Sequence, residues 1–148
     1  MIHQDLSGKI IGAFYAVYNR LGHGFLEKVY ENAMMIELVK IGLLAEQQRR
    51  LTVYHDSQVI GEYCADIVVN DTVILELKTA DTIAPEHEAQ LINYLKATEI
   101  ELGLLLNFGL RPEFIRRIFT NDKKGLVKVT ASSNSVDKVQ INVERNSH

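Results

Sequence analysis

The sequence predicts an α/β or α+β sandwich in which helices cover a mixed sheet. Three observations predict it. Two stretches of helical apolar spacing open the chain, three strand-like runs broken by short turns follow, and a proline-started helix leads into an almost wholly apolar strand. The order is α-α-β-β-β-α-β-α, an antiparallel meander and then a helical crossover to a further strand.

Asp5 or Ser7 can cap a first helix running to about Leu21, with Ile10, Ile11, Phe14, Val17 and Tyr18 on one stripe. The two glycines of Leu21-Gly22-His23-Gly24-Phe25 end it. A second helix runs from about Leu26 to Ile41. Its apolar positions Leu26, Val29, Tyr30, Ala33, Ile36 and Leu38 suit helical spacing, and Gly42 suits a C-terminal cap. Strands occupy Ala45–His55, Gln58–Val69 and Thr72–Thr79, with turns at Asp56-Ser57 and Asn70-Asp71. Pro85 starts a third helix reaching about Thr98. Glu101–Asn107 reads as a buried fourth strand, and Arg111-Pro112 opens a short helix through Phe119. Residues 1–120 form one domain. From Asn121 to His148 the pattern weakens into a tail, disordered or holding at most a marginal hairpin of Leu126–Val129 and Val139–Val143.

The chain has 148 residues, 47% hydrophobic and 24% charged, which suits one soluble domain with a real core. Cys64 is the only cysteine, so no disulfide framework or cysteine zinc site is expected. No apolar run approaches membrane-spanning length and the N-terminus lacks a secretory layout, so the expected compartment is the cytoplasm, with no membrane contact. A net charge of −3 argues against broad non-specific duplex binding. Arg49-Arg50, Arg111, Arg116-Arg117 and Lys123-Lys124 are candidate basic patches or solvated surface.

Ala65-Asp66-Ile67-Val68-Val69 and Val73-Ile74-Leu75-Glu76-Leu77-Lys78 carry the strongest chemical signal. The second run looks central and buried, where ionised groups are costly unless paired or bound to a metal. Residues two apart on a strand share a face, so Glu76 and Lys78 point the same way. A three-residue connection, Asn70-Asp71-Thr72, sets Asp66 opposite Glu76 with Lys78 one step along. A two-residue Asn70-Asp71 turn would pair Asp66 with Leu75 and part the acids. Side-by-side carboxylates repel, so a divalent cation is their natural companion, and oxygen ligands of this kind suit Mg²⁺ or Mn²⁺.

Other side chains can join this site. Glu27 lies on the first turn of the second helix; it is either an acid favoured by the helix dipole or a further acid at the metal. Tyr30 adjoins it and would tether the helix or a phosphate, and Glu31 lies one turn on. His87, Gln90 and Tyr94 share one stripe of the third helix, lining a polar cleft or making ordinary core contacts. His87 stays outside the catalytic set. Cys64 shares a strand face with Asp66 and reads as a small buried hydrophobe.

Taken together these residues resemble the PD-(D/E)XK nuclease superfamily and, more closely, its proteins named after the pattern GxxExxY. Gly24-Phe25-Leu26-Glu27-Lys28-Val29-Tyr30 matches that pattern, Asp66 with Glu76-Leu77-Lys78 matches D…E-x-K, and Gln90-Leu91-Ile92-Asn93-Tyr94 matches the QxxxY element of the RecB-like branch. Ala65 replaces the proline of the superfamily name. The resemblance spans residues 5 to 120. It implies a restriction-endonuclease-like αβββαβ core and Mg²⁺-dependent cleavage of phosphodiester bonds in DNA, in repair, recombination or defence. Asp66 and Glu76 would bind metal, with the backbone carbonyl of Leu77 a further ligand. Lys78 would orient or help deprotonate the attacking water. Glu27 would assist at the metal, and Gln90 and Tyr94 would shape the site or contact the DNA backbone.

Two other readings compete. A non-catalytic module on the same fold, binding nucleic acid or a protein, fits the low net charge. A structural Glu76–Lys78 ion pair fits less well, because it leaves Asp66 uncompensated. A domain this small has little surface for a duplex, which implies a homodimer or a partner that delivers DNA.

Overall fold

The computed structural model describes residues 2–124, 126–128 and 138–141. Helices α1 (Gln4–Leu21) and α2 (Glu27–Lys40) precede the meander β1 (Ala45–His55), β2 (Gln58–Val69) and β3 (Val73–Lys78). Helix α3 (Pro85–Ala97) then crosses to β4 (Leu102–Phe108), which turns back into β5 (Pro112–Ile118). Strands β6 (Leu126–Lys128) and β7 (Lys138–Ile141) form an antiparallel pair, with β7 parallel to β1. That pair falls where the marginal hairpin is expected; residues 129 and 142–143 lie outside the described ones.

The sheet order is β5-β4-β3-β2-β1-β7-β6. Strands β1, β2 and β3 are mutually antiparallel, β3 and β4 run parallel, and β5 is antiparallel to β4, so the sheet is mixed as expected. Every residue of β4 is buried, as a central strand covered on both faces requires. On one face α1 and α2 pack through Ile10, Phe14, Tyr30, Met34 and Leu38 onto Ile67, Leu75, Leu104 and Phe108. On the other, Leu91, Tyr94 and Leu95 of α3 cover Val68, Ile74 and Leu105. Among the described residues no helix is long and apolar enough to cross a membrane.

Three details depart from expectation. His3, in a left-handed conformation, holds the cap position of α1, while Ser7 sits inside the helix and donates back to the His3 carbonyl at 3.1 Å. Helix α2 turns a different face inward. Tyr30, Glu31, Met34 and Leu38 are buried, whereas Leu26 and Ile36 are 78% and 61% exposed. Apolar residues surround this helix, so their spacing alone did not select a face. Its end follows the glycine rule: Gly42 has φ 85, and the N–H groups of Gly42 and Leu43 bond the carbonyls of Val39 and Leu38 at 3.0 Å each.

The third departure is the expected helix through Phe119, which is strand β5. Phe108 pairs with Pro112 and Leu102 with Ile118 across a tight connection. Proline at the first residue of an edge strand forfeits no ladder hydrogen bond, and Phe114, Ile115 and Ile118 suit a pleated surface. A helix there would have left the β4 edge unpaired.

The β2–β3 connection reconciles both turn readings. Asn70 and Asp71 take left-handed φ of 51° and 52°, and the Thr72 N–H closes the turn on the Val69 carbonyl at 2.9 Å. Thr72 is then an extra residue, for the ladder resumes at Val69 opposite Val73. The Asn70 side chain accepts from the Leu44 N–H at 2.8 Å, and Arg49 pairs with Asp71, which fixes the loop against β1.

Candidate active site

The β2–β3 ladder ends at Ile67 opposite Leu75. The next pair in register is Asp66 with Glu76, and there the carboxylates replace the ladder. The Leu77 N–H donates to Asp66 Oδ2 at 2.8 Å, and the Asp66 N–H donates to Glu76 Oε2 at 3.2 Å. Each acid therefore holds the backbone of the other's strand across a fork. Ala65 packs on the α3 side while Ile67 packs on the α1/α2 side, so the alternation of β2 slips at Asp66. That slip lets its side chain reach across the fork. The juxtaposition expected from the odd-length loop is present.

Glu76 is only 4% exposed, and burial, reinforced by Asp66, pushes its pKa up to about 9. Burial raises Asp66 as well, opposed first by the hydrogen bond from the Leu77 N–H. Lys78 lowers the pKa of Glu76, Asp66 and Glu27 alike, so one ammonium serves three acids. Among the described residues Lys78 has no carboxylate within ion-pair distance, so the structural Glu76–Lys78 pair does not form. A half-buried lysine beside acids that it does not lock is suited to chemistry at a third group.

Glu27 begins α2. Desolvation is the largest effect on its carboxyl and raises its pKa; Lys78 opposes the rise, and Asp66 and Glu31 add to it. The preceding turn explains its placement. Gly22 and Gly24 have φ of 68° and 109°, a region that side-chain-bearing residues rarely adopt. Tyr30 stacks on Phe108 with ring centroids 4.3 Å apart, and its hydroxyl donates to the Gly22 carbonyl at 2.6 Å and accepts from the Phe25 N–H at 3.2 Å. Tyr30 is 0% exposed, so of its two expected roles the structure gives it the tether; as a contact for substrate phosphate it is corrected.

On α3, the Gln90 amide donates to the Tyr94 hydroxyl at 3.3 Å, and that hydroxyl lies 3.5 Å from the Cys64 carbonyl. The Tyr94 ring meets Tyr63 edge-on at 5.0 Å. Cys64 itself is exposed, its thiol against the Gln48 side chain, which corrects its expected burial as a small hydrophobe. Burial, then Glu76 and Asp66, hold the Tyr94 pKa above its ordinary value, which keeps the phenol neutral. His87 accepts the Ala84 N–H on Nδ1 at 3.1 Å, capping the helix.

Sequence reasoning passed over three residues. Glu31, buried, accepts from Gln47 at 2.7 Å, Gln48 at 2.9 Å and Lys28 at 3.2 Å. The faint signal was an acid one turn beyond Glu27. Gln47 and Gln48 are polar residues in a strand and carried none. Some arginines of the expected basic patches have partners in the fold: Arg117 pairs with Glu88, Arg116 with Ser7 and the Ile2 carbonyl, and Arg50, at the surface, with Glu62.

A hard divalent cation fits the donor set. Among the described residues no three His, Cys, Asp or Glu side chains converge to hold an ion unaided. Mg²⁺ and Mn²⁺ do not need three, since one or two carboxylates with water and substrate oxygens suffice. Glu76 Oε1 has no hydrogen-bond donor among the described residues, and an acid raised to about 9 gains by exchanging its proton for a cation. Asp66 and Glu76 would hold the ion.

Nothing among curated proteins matches the chain. The crystal structure of SSO0001 is similar in fold, with a TM-score of 0.51 at 17% identity over 64% of this chain and 50% of that one. This chain thus spans half the length of that protein. A profile of the PD-(D/E)XK nuclease superfamily matches residues 4–118, from α1 to the end of β5, and so takes in the fork, Glu27 and the α3 stripe. The fold is of the restriction-endonuclease-like kind, and the chain belongs to the PD-(D/E)XK nuclease superfamily.

Proposed function

We propose that this protein is a metal-dependent nuclease of the GxxExxY type that hydrolyses phosphodiester bonds in DNA, in repair, recombination or defence. The observation that carries the reading is the fork: Asp66 and Glu76 face each other at the end of the ladder, with Lys78 beside them and, among the described residues, in no ion pair.

Asp66 and Glu76 would hold Mg²⁺ or Mn²⁺, the Leu77 carbonyl would be a further ligand, and Glu27 would assist from the start of α2. Bound there, the cation would polarise a phosphoryl oxygen and lower the pKa of a water. Lys78 would orient that water, help remove its proton and offset negative charge gathering on the phosphoryl group. Gln90 and Tyr94 would position the scissile strand, Tyr94 as a neutral donor. A second copy of the chain or a DNA-delivering partner would add the binding surface that a domain this small lacks.

The test is incubation with linear, circular and single-stranded DNA, with Mg²⁺ or Mn²⁺ and with chelator, beside Glu76→Ala and Lys78→Ala. Cleavage that needs the metal and is lost in both variants is expected. DNA binding without cleavage, unchanged by chelator, would instead make the protein a binding module on the same fold.

A further inference from the structure

Gln48 is the position of β1 that faces Asp66. The ladder pairs Gln47 with Ile67 and Arg49 with Ala65 on either side of it, and Gln48 itself takes φ 52. A left-handed glutamine in the middle of a strand is strained and needs a reason. Its side chain supplies one. Nε2 donates to Glu31 Oε1 at 2.9 Å, while Oε1 lies 3.2 Å from the Cys64 thiol, which can donate to it. These partners fix which way the amide points, with its NH₂ toward Glu31. The register sets this side chain across from Asp66, and its amide helps to lower the Asp66 pKa against the rise that burial causes. Gln48 is open to solvent as a residue, which sets it at the mouth of the fork and not in the core.

We propose that Gln48 is a positioning residue for Asp66, bridging that carboxylate to Glu31 of α2 and so setting the metal-binding pair against the helix that carries Glu27. A neutral amide suits this place. A lysine or arginine would cancel the charge a cation needs, and another acid would add to the repulsion already present between Asp66 and Glu31. The NH₂ group offers two hydrogens, enough for one bond to each carboxylate. The left-handed backbone follows from the task, because it turns the side chain from the strand toward both acids.

The inference rests on the nuclease reading, and its test separates the two. Mn²⁺ binding is measured by calorimetry on the wild type, Gln48→Gly and Gln47→Ala, with thermal unfolding alongside. Glycine accepts the left-handed backbone, so Gln48→Gly should unfold no earlier than the wild type. Its Mn²⁺ affinity should fall by about 10–100-fold, the usual effect of losing an outer hydrogen bond to a metal ligand. Gln47 bonds Glu31 and Asn32 and makes no bond to Asp66, so Gln47→Ala should bind Mn²⁺ as the wild type does. Wild-type affinity in Gln48→Gly, or an equal loss in Gln47→Ala, would overturn the positioning role while leaving the nuclease reading intact. Absence of Mn²⁺ binding by the wild type would overturn both.

Discussion

Asn107 clamps both backbone groups of Ala80: its Nδ2 donates to the Ala80 carbonyl at 2.9 Å, and its Oδ1 accepts the Ala80 N–H at 2.9 Å. Asn107 is fully buried and lies opposite Lys78 in the β3–β4 ladder, so the clamp fixes the chain just after the site lysine. Removing it with Asn107→Ala forfeits two hydrogen bonds and strands a buried strand end, at a cost of about 2 kcal/mol. Gly109 belongs to the same device, since a Cβ there would stand 2.2 Å from the Ala80 carbonyl oxygen. Gly109→Ala should cost about 1–3 kcal/mol through the forced shift. Urea unfolding of both variants checks this, and wild-type midpoints would contradict the clamp.

Tyr30→Phe separates the two parts of the tether. The ring remains on Phe108, but the Gly22 carbonyl and the Phe25 N–H lose their partner. The expected cost is about 1–3 kcal/mol. DNA affinity should be unchanged, because this hydroxyl is enclosed. A variant as stable as the wild type but impaired in DNA binding would return Tyr30 to the substrate.

Lys78 should act after the metal is in place. Lys78→Met keeps an apolar stem of similar length and removes the ammonium that now faces three acids. Cleavage should fall at least about 100-fold, while calorimetric Mn²⁺ affinity persists or rises as the competing charge goes. Lys78→Arg should recover little, because a guanidinium keeps its proton and needs room for a planar fork. Full activity in Lys78→Arg would reduce the residue to an offset charge.

How far the sequence showed this site depends on which physical signal each residue leaves. Strands β1 to β4 were legible because β-branched and apolar runs sat between turn residues, and parity within β3 placed Glu76 with Lys78. Strand β5 was hidden by Pro112, which suits a first helical turn as well as an edge-strand start. The inward face of α2 is set by Tyr30 on Phe108 and by Glu31 on two glutamines, contacts from distant parts of the chain. Gln48 left no trace, since its role depends on a backbone angle that no residue pattern encodes. Asn107 did leave one, as the lone amide within an apolar run.

Without metal, the fork should make the protein less stable as pH rises. Folded Glu76 holds its proton up to about 9, against an ordinary value of 4.5, so the folded state binds it more tightly than the unfolded chain does. Stability from this group is therefore full below about 4.5 and is lost as pH climbs through about 9. Asp66, also raised, adds to the fall in the same direction. Glu76→Gln mimics the protonated acid and should flatten most of the slope, ending more stable than the wild type at alkaline pH. Mn²⁺ should reverse the trend, because the ion takes the ionised form, and its binding near neutrality should release protons. Thermal unfolding in chelator and in Mn²⁺ from pH 5 to 9, with calorimetry in buffers of different ionisation heat, measures each part. A flat wild-type profile in chelator would mean that Glu76 is already ionised beside Asp66, and the case for a proton exchanged for a cation would fail.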